Sequence, residues 1–282
     1  MSTSILADAM PSHAPQRWAR VPAELLGRQP VLAWYGLILI VLLVPAGVVL
    51  LLDGRTLDGV NVWAKPMKFL ASVSLFSLTM AWFYGYLPAE RRRAAIPRLI
   101  VWTLVATGTF EIAYIAWQAG HGEASHFNQS TPFHAVMYAL MGAAALVLTA
   151  TAPALAREIA RHGDRGLDPA FRLAVVLGLV LTFVLGATEG VYMSAQPGHG
   201  VGVPAGDLGL PVVGWSTTGG DLRVAHFLGI HAQQVVPFVG ALLAHLLPGR
   251  AAPAVWGFAA AYGLVTAFVF VQALAGLPLI AL

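Results

Sequence analysis

Two glutamates inside long apolar stretches head the same spaced motif. The segments 111–122 and 189–200 both fit E-x-x-Y-x-x-x-Q-x-G-H-G. Steps of three and seven residues put the Glu, Tyr and Gln of each copy on one face of a helix. A carboxylate in a membrane span is costly and usually faces a bundle interior or a wet cavity. Glu111 and Glu189 are therefore candidate metal ligands, although a protonated glutamate bonded to a neighbouring helix satisfies the same pattern.

Six of the nine histidines fall toward one end of the predicted spans. They are His121, His126, His134, His199, His226 and His231. We expect His126 and His231 to join the two glutamates as metal ligands, and His134 and His226 to bind a cofactor. Haem iron accepts imidazole from facing helices, and bundle cores hold cofactors well. Lys65 and Arg223 lie at the same end and are candidates to meet haem propionates or another anionic ligand.

The composition of the 282 residues excludes an ordinary soluble enzyme, a disordered chain and a coiled coil. Hydrophobic residues make up 58%, charged residues only 10%, and the mean hydropathy is +0.73. Soluble domains carry about 25% charged residues, so this chain cannot cover itself with a solvated surface. The net charge of +3 is too small to indicate nucleic-acid binding. The absence of cysteine excludes an iron–sulfur cluster.

The apolar stretches predict an all-α, polytopic membrane protein with seven spans. A span needs about 20 mostly apolar residues, and the stretches are roughly 31–52, 67–87, 98–119, 133–156, 171–195, 222–246 and 254–280. We expect residues 1–30 to form a cytoplasmic or interfacial arm and 31–282 to form one transmembrane domain. The repeated motif predicts a pseudo-twofold four-helix core, made of the hairpin of spans 3–4 and the hairpin of spans 5–6.

The distribution of lysine and arginine predicts the orientation. Twelve of these residues fall on the side of the N-terminus and four on the other side: Arg55, Lys65, Lys68 and Arg223. Cytoplasmic loops carry the excess of positive charge, so we expect a cytoplasmic N-terminus and a periplasmic C-terminus. The only lysines, Lys65 and Lys68, stand at the start of the second span. A retinal protein needs a Schiff-base lysine deep in a helix, so retinal is not expected.

Three strings, Asn61–Phe69, His126–Phe133 and Gly214–His231, are similar to those of an uncharacterised family of multi-pass bacterial inner-membrane proteins. The resemblance covers most of the chain from the second span to the sixth. It implies the membrane class and a bacterial inner membrane, and it carries no activity, cofactor or site residue.

The residues themselves leave three functions open. The first is redox or cofactor-handling chemistry on haem b or a divalent transition metal, in a polar cavity open to the outer side. The second is a non-haem metal-dependent hydrolase or oxidase in the membrane, although the Glu-x-x-His pairs of di-iron bundles are absent. The third is a proton-coupled transporter or a sensor without chemistry. Membrane lipid is the expected partner, a small anionic ligand from the outer side is an option, and the oligomeric state is open.

Overall fold

The structure is a computed structural model that describes residues 21–204, 206, 207 and 209–282. Its helices in chain order are α1 (Val21–Arg28), α2 (Pro30–Leu52), α3 (Ala64–Tyr84), α4 (Ala89–Arg92), α5 (Ala95–His121), α6 (Pro132–His162), α7 (Pro169–Ser194), α8 (Leu222–Ile230), α9 (Ala232–Leu246) and α10 (Ala251–Leu274). Four two-residue strands form two antiparallel pairs, β1 (Thr56–Leu57) with β2 (Val60–Asn61) and β3 (Gly200–Val201) with β4 (Gly220–Asp221).

The helical, membrane-spanning class is confirmed. Six helices, α2, α3, α5, α6, α7 and α10, are long and apolar enough to cross a membrane. The pair α8 and α9 passes the same test together, and the two helices are bent by 51° where they meet. The described chain therefore holds six candidate spans, or seven if the bent pair counts as one. Of the predicted N-terminal arm, residues 1–20 lie outside the described residues, and α1 packs beside α2 and α3.

The span predicted over 222–246 consists of two helices, because the helix breaks at His231. The backbone N–H of Gln233 donates to the Thr182 hydroxyl on α7 over 2.9 Å. A side chain that takes over a backbone N–H interrupts the helical hydrogen-bond ladder and causes a bend. Pro237 lies one turn further along α9 and has no backbone N–H, so it cannot donate the helical hydrogen bond to the residue four positions earlier. The break is thus a consequence of a contact with α7 and of local sequence.

Helix α7 lies at the centre of the second half of the molecule and packs against α6, α8, α9 and α10. Small residues allow this close approach, as is common between membrane helices. A Cβ atom at Gly178 would lie 2.8 Å from Pro237 Cδ and 3.0 Å from the Ala232 carbonyl oxygen. The α7 backbone therefore touches α9 just after the break, and a larger residue at 178 would push them apart.

The two ends of the bundle differ in their connections. We call the end that holds the connections 53–63, 122–131 and 195–221 the histidine-rich end. Hydrogen bonds join neighbouring elements at this end: Arg55 Nη1 donates to the Gly120 carbonyl near the end of α5 over 3.0 Å, and the Tyr138 hydroxyl on α6 donates to the Ser194 carbonyl at the end of α7 over 2.9 Å. We call the opposite end the arginine-rich end, where Arg91 bonds both carboxylate oxygens of the buried Glu158 at 2.6 and 2.9 Å.

The two copies of the repeated motif differ at their C-terminal halves. In the first copy α5 continues to His121, and Gly122 ends it in the left-handed conformation with φ of 72°. In the second copy α7 ends at Ser194, before the Gly-His-Gly. Proline disfavours a helical residue before it, and Pro197 stands at this point of the second copy only. The Gly-His-Gly therefore ends α5 but not α7, and the duplication itself stays a prediction.

Candidate functional site

Glu111 lies in a buried cluster with Lys65 and His126 near the histidine-rich end. It is 3% exposed, and neither carboxylate oxygen has a hydrogen-bond partner among the described residues. Lys65, in the first turn of α3, interacts with the charges of Glu111 and of Arg223. A buried polar group without a partner costs about 1–3 kcal/mol. Glu111 therefore offers a buried acceptor that a proton or a ligand would satisfy.

His126 covers the same cluster from the 122–131 connection. Its Nδ1 lies 3.1 Å from the Ser125 hydroxyl, and its ring centroid lies 5.7 Å from that of Phe69 and 6.2 Å from that of Tyr138. Burial lowers the pKa of His126 to about 3, and the nearby Lys65 charge adds to this effect. The imidazole is therefore neutral at pH 7 and can act as a hydrogen-bond donor or as an acceptor.

Glu189 forms a second buried site, where α7 meets α8. It is 4% exposed, and its Oε2 has no partner among the described residues. This oxygen lies 2.9 Å from the position that a Cβ atom of Gly229 would occupy, so the missing side chain admits the carboxylate to the last turn of α8. One turn earlier, His226 packs on α7, with Cε1 3.1 Å from the Cβ position of Gly190. Its Nδ1 is buried without a partner in the described chain.

His134 is held by the connection that precedes its helix. Its Nε2 lies 3.0 Å from a Glu123 carboxylate oxygen, and its Nδ1 lies 3.1 and 3.0 Å from the hydroxyls of Ser130 and Thr131. Gln118 donates to the same Glu123 oxygen over 3.3 Å. Both ring nitrogens thus have partners that fasten the start of α6 to the end of α5. A role as an iron ligand would require at least one of these contacts to break.

Arg223 forms an ion pair with Asp221 at the start of α8, at the histidine-rich end. Its Nε and Nη2 bond the two carboxylate oxygens of Asp221 at 2.9 and 2.6 Å, and Nη2 also donates to the Gly214 carbonyl. His199 Nδ1 lies 3.6 Å from the same aspartate. Burial alone would raise the pKa of Asp221, but the nearby His199 and the bonds to Arg223 outweigh it and hold the pKa well below its usual range. Asp221 is thus an anion that fastens the long 195–221 connection.

His231 stands at the break between α8 and α9 and leads to a polar contact with α3. Its Nδ1 lies 3.3 Å from Gln234 Oε1, and Gln234 Nε2 donates to the Thr79 hydroxyl over 3.0 Å. Thr79 and Gln234 also line a mostly apolar, open surface groove of about 390 Å³ between α1, α3, α7 and α9, together with Trp82 and Phe238. A chain of polar groups therefore runs from the break to this open groove on the side of the arginine-rich end.

The predicted site residues thus fall into separate groups. Glu111 and His126 share a cluster with Lys65, and Glu189 lies near His226. His231 stands at the break between α8 and α9. His134 is bonded to residues of the 122–131 connection. Glu111 has Lys65 as its charged neighbour, whereas Glu189 has the Tyr262 hydroxyl beside it. Among the described residues, no three His, Asp or Glu side chains are grouped to hold a metal ion. The metal and haem sites stay predictions.

Sequence reasoning missed several polar residues of these groups. Asp221 stands two residues before Arg223, and this spacing is a usable signal for an ion pair at the start of a helix. Lys68 donates to the Val213 carbonyl over 2.9 Å, across 145 positions of the chain. The contact of Thr79 with Gln234 spans 155 positions. Neither long-range contact has a local signal, because each depends on how distant helices pack.

Comparison with protein-family models, with curated proteins and with solved structures finds no match for this chain. The resemblance to uncharacterised bacterial inner-membrane proteins therefore stays an expectation from the sequence.

Proposed function

We propose that this protein is a proton-coupled carrier of a bacterial inner membrane, with seven spans, a cytoplasmic N-terminus and a periplasmic C-terminus. The observation that carries the proposal is the bent pair α8 and α9, with the buried Glu189 against the last turn before the break. Discontinuous helices near the middle of the membrane are typical of carrier binding sites. Buried carboxylates in spans are typical of proton relays.

Polar groups on both sides of the break support a route for protons. On the histidine-rich side lie the Lys65–Glu111–His126 cluster and the unpartnered Nδ1 of His226. On the other side lie His231, Gln234 and Thr79, which lead to the open groove of about 390 Å³. A Glu189 that gains or loses a proton changes the charge beside the α8 backbone at Gly229. Such a change would favour one packing of the broken span over another.

Proton flux in reconstituted vesicles tests the proposal. Purified protein is placed in liposomes that contain a pH-sensitive dye, and a potassium gradient with valinomycin sets the membrane potential. We expect wild-type vesicles to take up protons faster than protein-free vesicles. Glu189→Gln should reduce the rate toward the protein-free level, because the amide cannot exchange a proton. Glu90→Gln is the matched control, since Glu90 is exposed and its side chain has no hydrogen bond among the described residues, and it should keep the wild-type rate.

Two outcomes would contradict the carrier. One is a wild-type flux no faster than that of protein-free vesicles. The other is an undiminished flux in Glu189→Gln, because then the buried carboxylate at the break takes no part in proton movement.

A second candidate function, the binding of haem b or a transition metal, is favoured by one observation. His226 has a buried Nδ1 without a hydrogen-bond partner in the described chain, and such a nitrogen is able to coordinate a metal ion. An absorption spectrum and elemental analysis of the purified protein test this candidate, and His226→Ala should lose the bound haem or metal. A wild-type protein without a Soret band and without stoichiometric metal would reject it.

A further inference from the structure

The side chains of Lys68 and Arg223 both approach Gly214 at the histidine-rich end. Gly214 has a φ of +69°, in the left-handed region that favours glycine. The position that its Cβ atom would occupy lies 3.6 Å from Lys68 Nζ and 3.8 Å from Arg223 Nη1. Both cations therefore border one point that no side chain fills. The two residues come from different helices, α3 and α8, so this gap is a product of the fold.

Both cations retain unused donors that border this gap. Lys68 uses one of its three ammonium protons on the Val213 carbonyl. Arg223 uses Nε and Nη2 on Asp221 and the Gly214 carbonyl, whereas Nη1 has no acceptor among the described residues. The backbone bonds fix both head groups in place. Two donors are thus held ready on either side of an empty position.

The local charge balance is positive. Lys65 and Lys68 both interact with the charge of Arg223, so three cations lie within range of one another. Among the described residues, the carboxylates that interact with these cations are Asp221 and Glu111. Asp221 already bonds Arg223 through both of its oxygens. The three cations therefore outnumber the two carboxylates by one. Lys68 is exposed and Arg223 is half-buried, so a solute can reach them.

We propose that Lys68, Arg223 and the gap at Gly214 bind a small oxyanion, a carboxylate or a phosphate. Guanidinium and ammonium donors form their strongest hydrogen bonds with such oxygens. The proposal deepens the proposed function, because the anion would be the cargo that accompanies the proton, and its role as cargo rests on that function. Binding itself is independent of transport and is measured separately.

Calorimetric titration of the full-length protein in a neutral detergent tests the site, with inorganic phosphate and acetate as probes. We expect saturable binding of at least one probe that weakens as sodium chloride is raised. Lys68→Met should weaken binding about tenfold, the equivalent of one charge-assisted hydrogen bond, and Lys68→Arg should restore most of it. Gly214→Ala should abolish binding, because a methyl group fills the gap, and circular dichroism checks that this strained variant folds.

Arg55→Gln is the matched control. Arg55 is a cation of the same end, but Asp53 and the Gly120 carbonyl already occupy it. We expect this variant to bind as wild type does. The proposal is overturned if wild type binds neither probe, if Lys68→Met binds as tightly as wild type, or if Arg55→Gln loses as much affinity, since the last result would reduce the effect to general surface charge.

A lipid phosphate could supply the same chemistry as a free anion. Repeating the titration in nanodiscs of phosphatidylcholine and of phosphatidylglycerol separates the two sources. Equal binding of the probe in both indicates a site for free anions, and competition by phosphatidylglycerol assigns the same Lys68–Arg223 site to a lipid headgroup. If the probes bind but the vesicle flux is absent, the anion site stands and the carrier function falls.

Discussion

At the scale of single residues, the charged side chains of the histidine-rich end differ in how far they are paired. Asp53 bonds Arg55 Nη2 at 2.7 Å and also accepts from the Trp63 indole over 2.8 Å. Asp221 holds Arg223 in the same bidentate manner. In contrast, both oxygens of Glu111 are unpartnered among the described residues. The paired residues fasten connections, and Glu111 is left free to bind a proton or a ligand.

Asp221→Asn should therefore destabilise the protein. The amide cannot neutralise Arg223, and a half-buried arginine left without its counter-charge costs about 1 to 3 kcal/mol. The pKa of Asp221 is lowered in the folded state. Its contribution is thus fully present above the ordinary aspartate pKa of about 3.9 and is lost as the pH falls through the lowered folded value. Melting temperatures in detergent should show a deficit for the variant at pH 7 that shrinks only below about pH 4.

Asp164→Asn serves as the comparison for this variant. Asp164 is an exposed loop aspartate at the arginine-rich end, and its side chain accepts the Gly166 N–H over 2.9 Å. We expect a melting temperature close to that of wild type. Equal melting of Asp221→Asn and wild type across the pH range would show that the ion pair contributes nothing to the fold.

At the scale of helices and spans, one hydroxyl on α7 contributes a hydrogen bond to the break at His231. Thr182 Oγ1 accepts the Gln233 N–H and donates in turn to the Gly178 carbonyl over 2.9 Å. Thr182→Val keeps the volume but leaves that buried N–H without an acceptor, which costs about 1–3 kcal/mol. We expect a lower melting temperature and faster amide hydrogen exchange in peptides that cover 228–236.

Thr188→Val on the same helix is the control for the hydroxyl. The Thr188 hydroxyl donates to the Val184 carbonyl of its own helix, and the residue is exposed. It should leave the exchange of 228–236 unchanged. Unaltered exchange in Thr182→Val would mean that Pro237 and packing alone hold the bend.

Hydropathy located the straight spans, and all but two of their ends lie within three residues of the prediction. Helix α6 runs to His162, six residues past the predicted 156. The predicted 31–52 and 171–195 correspond to Pro30–Leu52 and Pro169–Ser194, because lipid-facing helices must be apolar over their whole length. The last span ends at Leu274, six residues before the predicted end, although the apolar composition continues. The break at His231 escaped prediction because the acceptor that causes it lies on another helix. Amino-acid composition shows which segments are apolar enough to span a membrane. A break in the helical hydrogen-bond ladder can be predicted only if the contacts with neighbouring helices are known.

At the scale of the whole molecule, the two ends of the bundle differ in charge. Among the described residues, the histidine-rich end holds four Lys and Arg residues, Arg55, Lys65, Lys68 and Arg223. The structure brings the last three close to one another where α3 and α8 begin. The sequence could predict this asymmetry, since it follows from the order of spans and loops. It could not predict that Glu111 and Glu189 belong to different clusters, because an equivalent helical face does not determine which neighbours that face meets.

The orientation of these ends across the membrane is a testable prediction, and a chain without cysteine suits the test. Val212→Cys adds a single thiol to the long connection of the histidine-rich end, at a residue that is 90% exposed. Gly166→Cys adds one to an exposed turn at the arginine-rich end. The excess of arginine predicts that the latter end is cytoplasmic. In intact bacterial cells a membrane-impermeant maleimide should label Val212→Cys at once and Gly166→Cys only after the membrane is opened. Labelling in the reverse order would place the Lys68–Arg223 gap in the cytoplasm, and the anion would then enter from inside the cell.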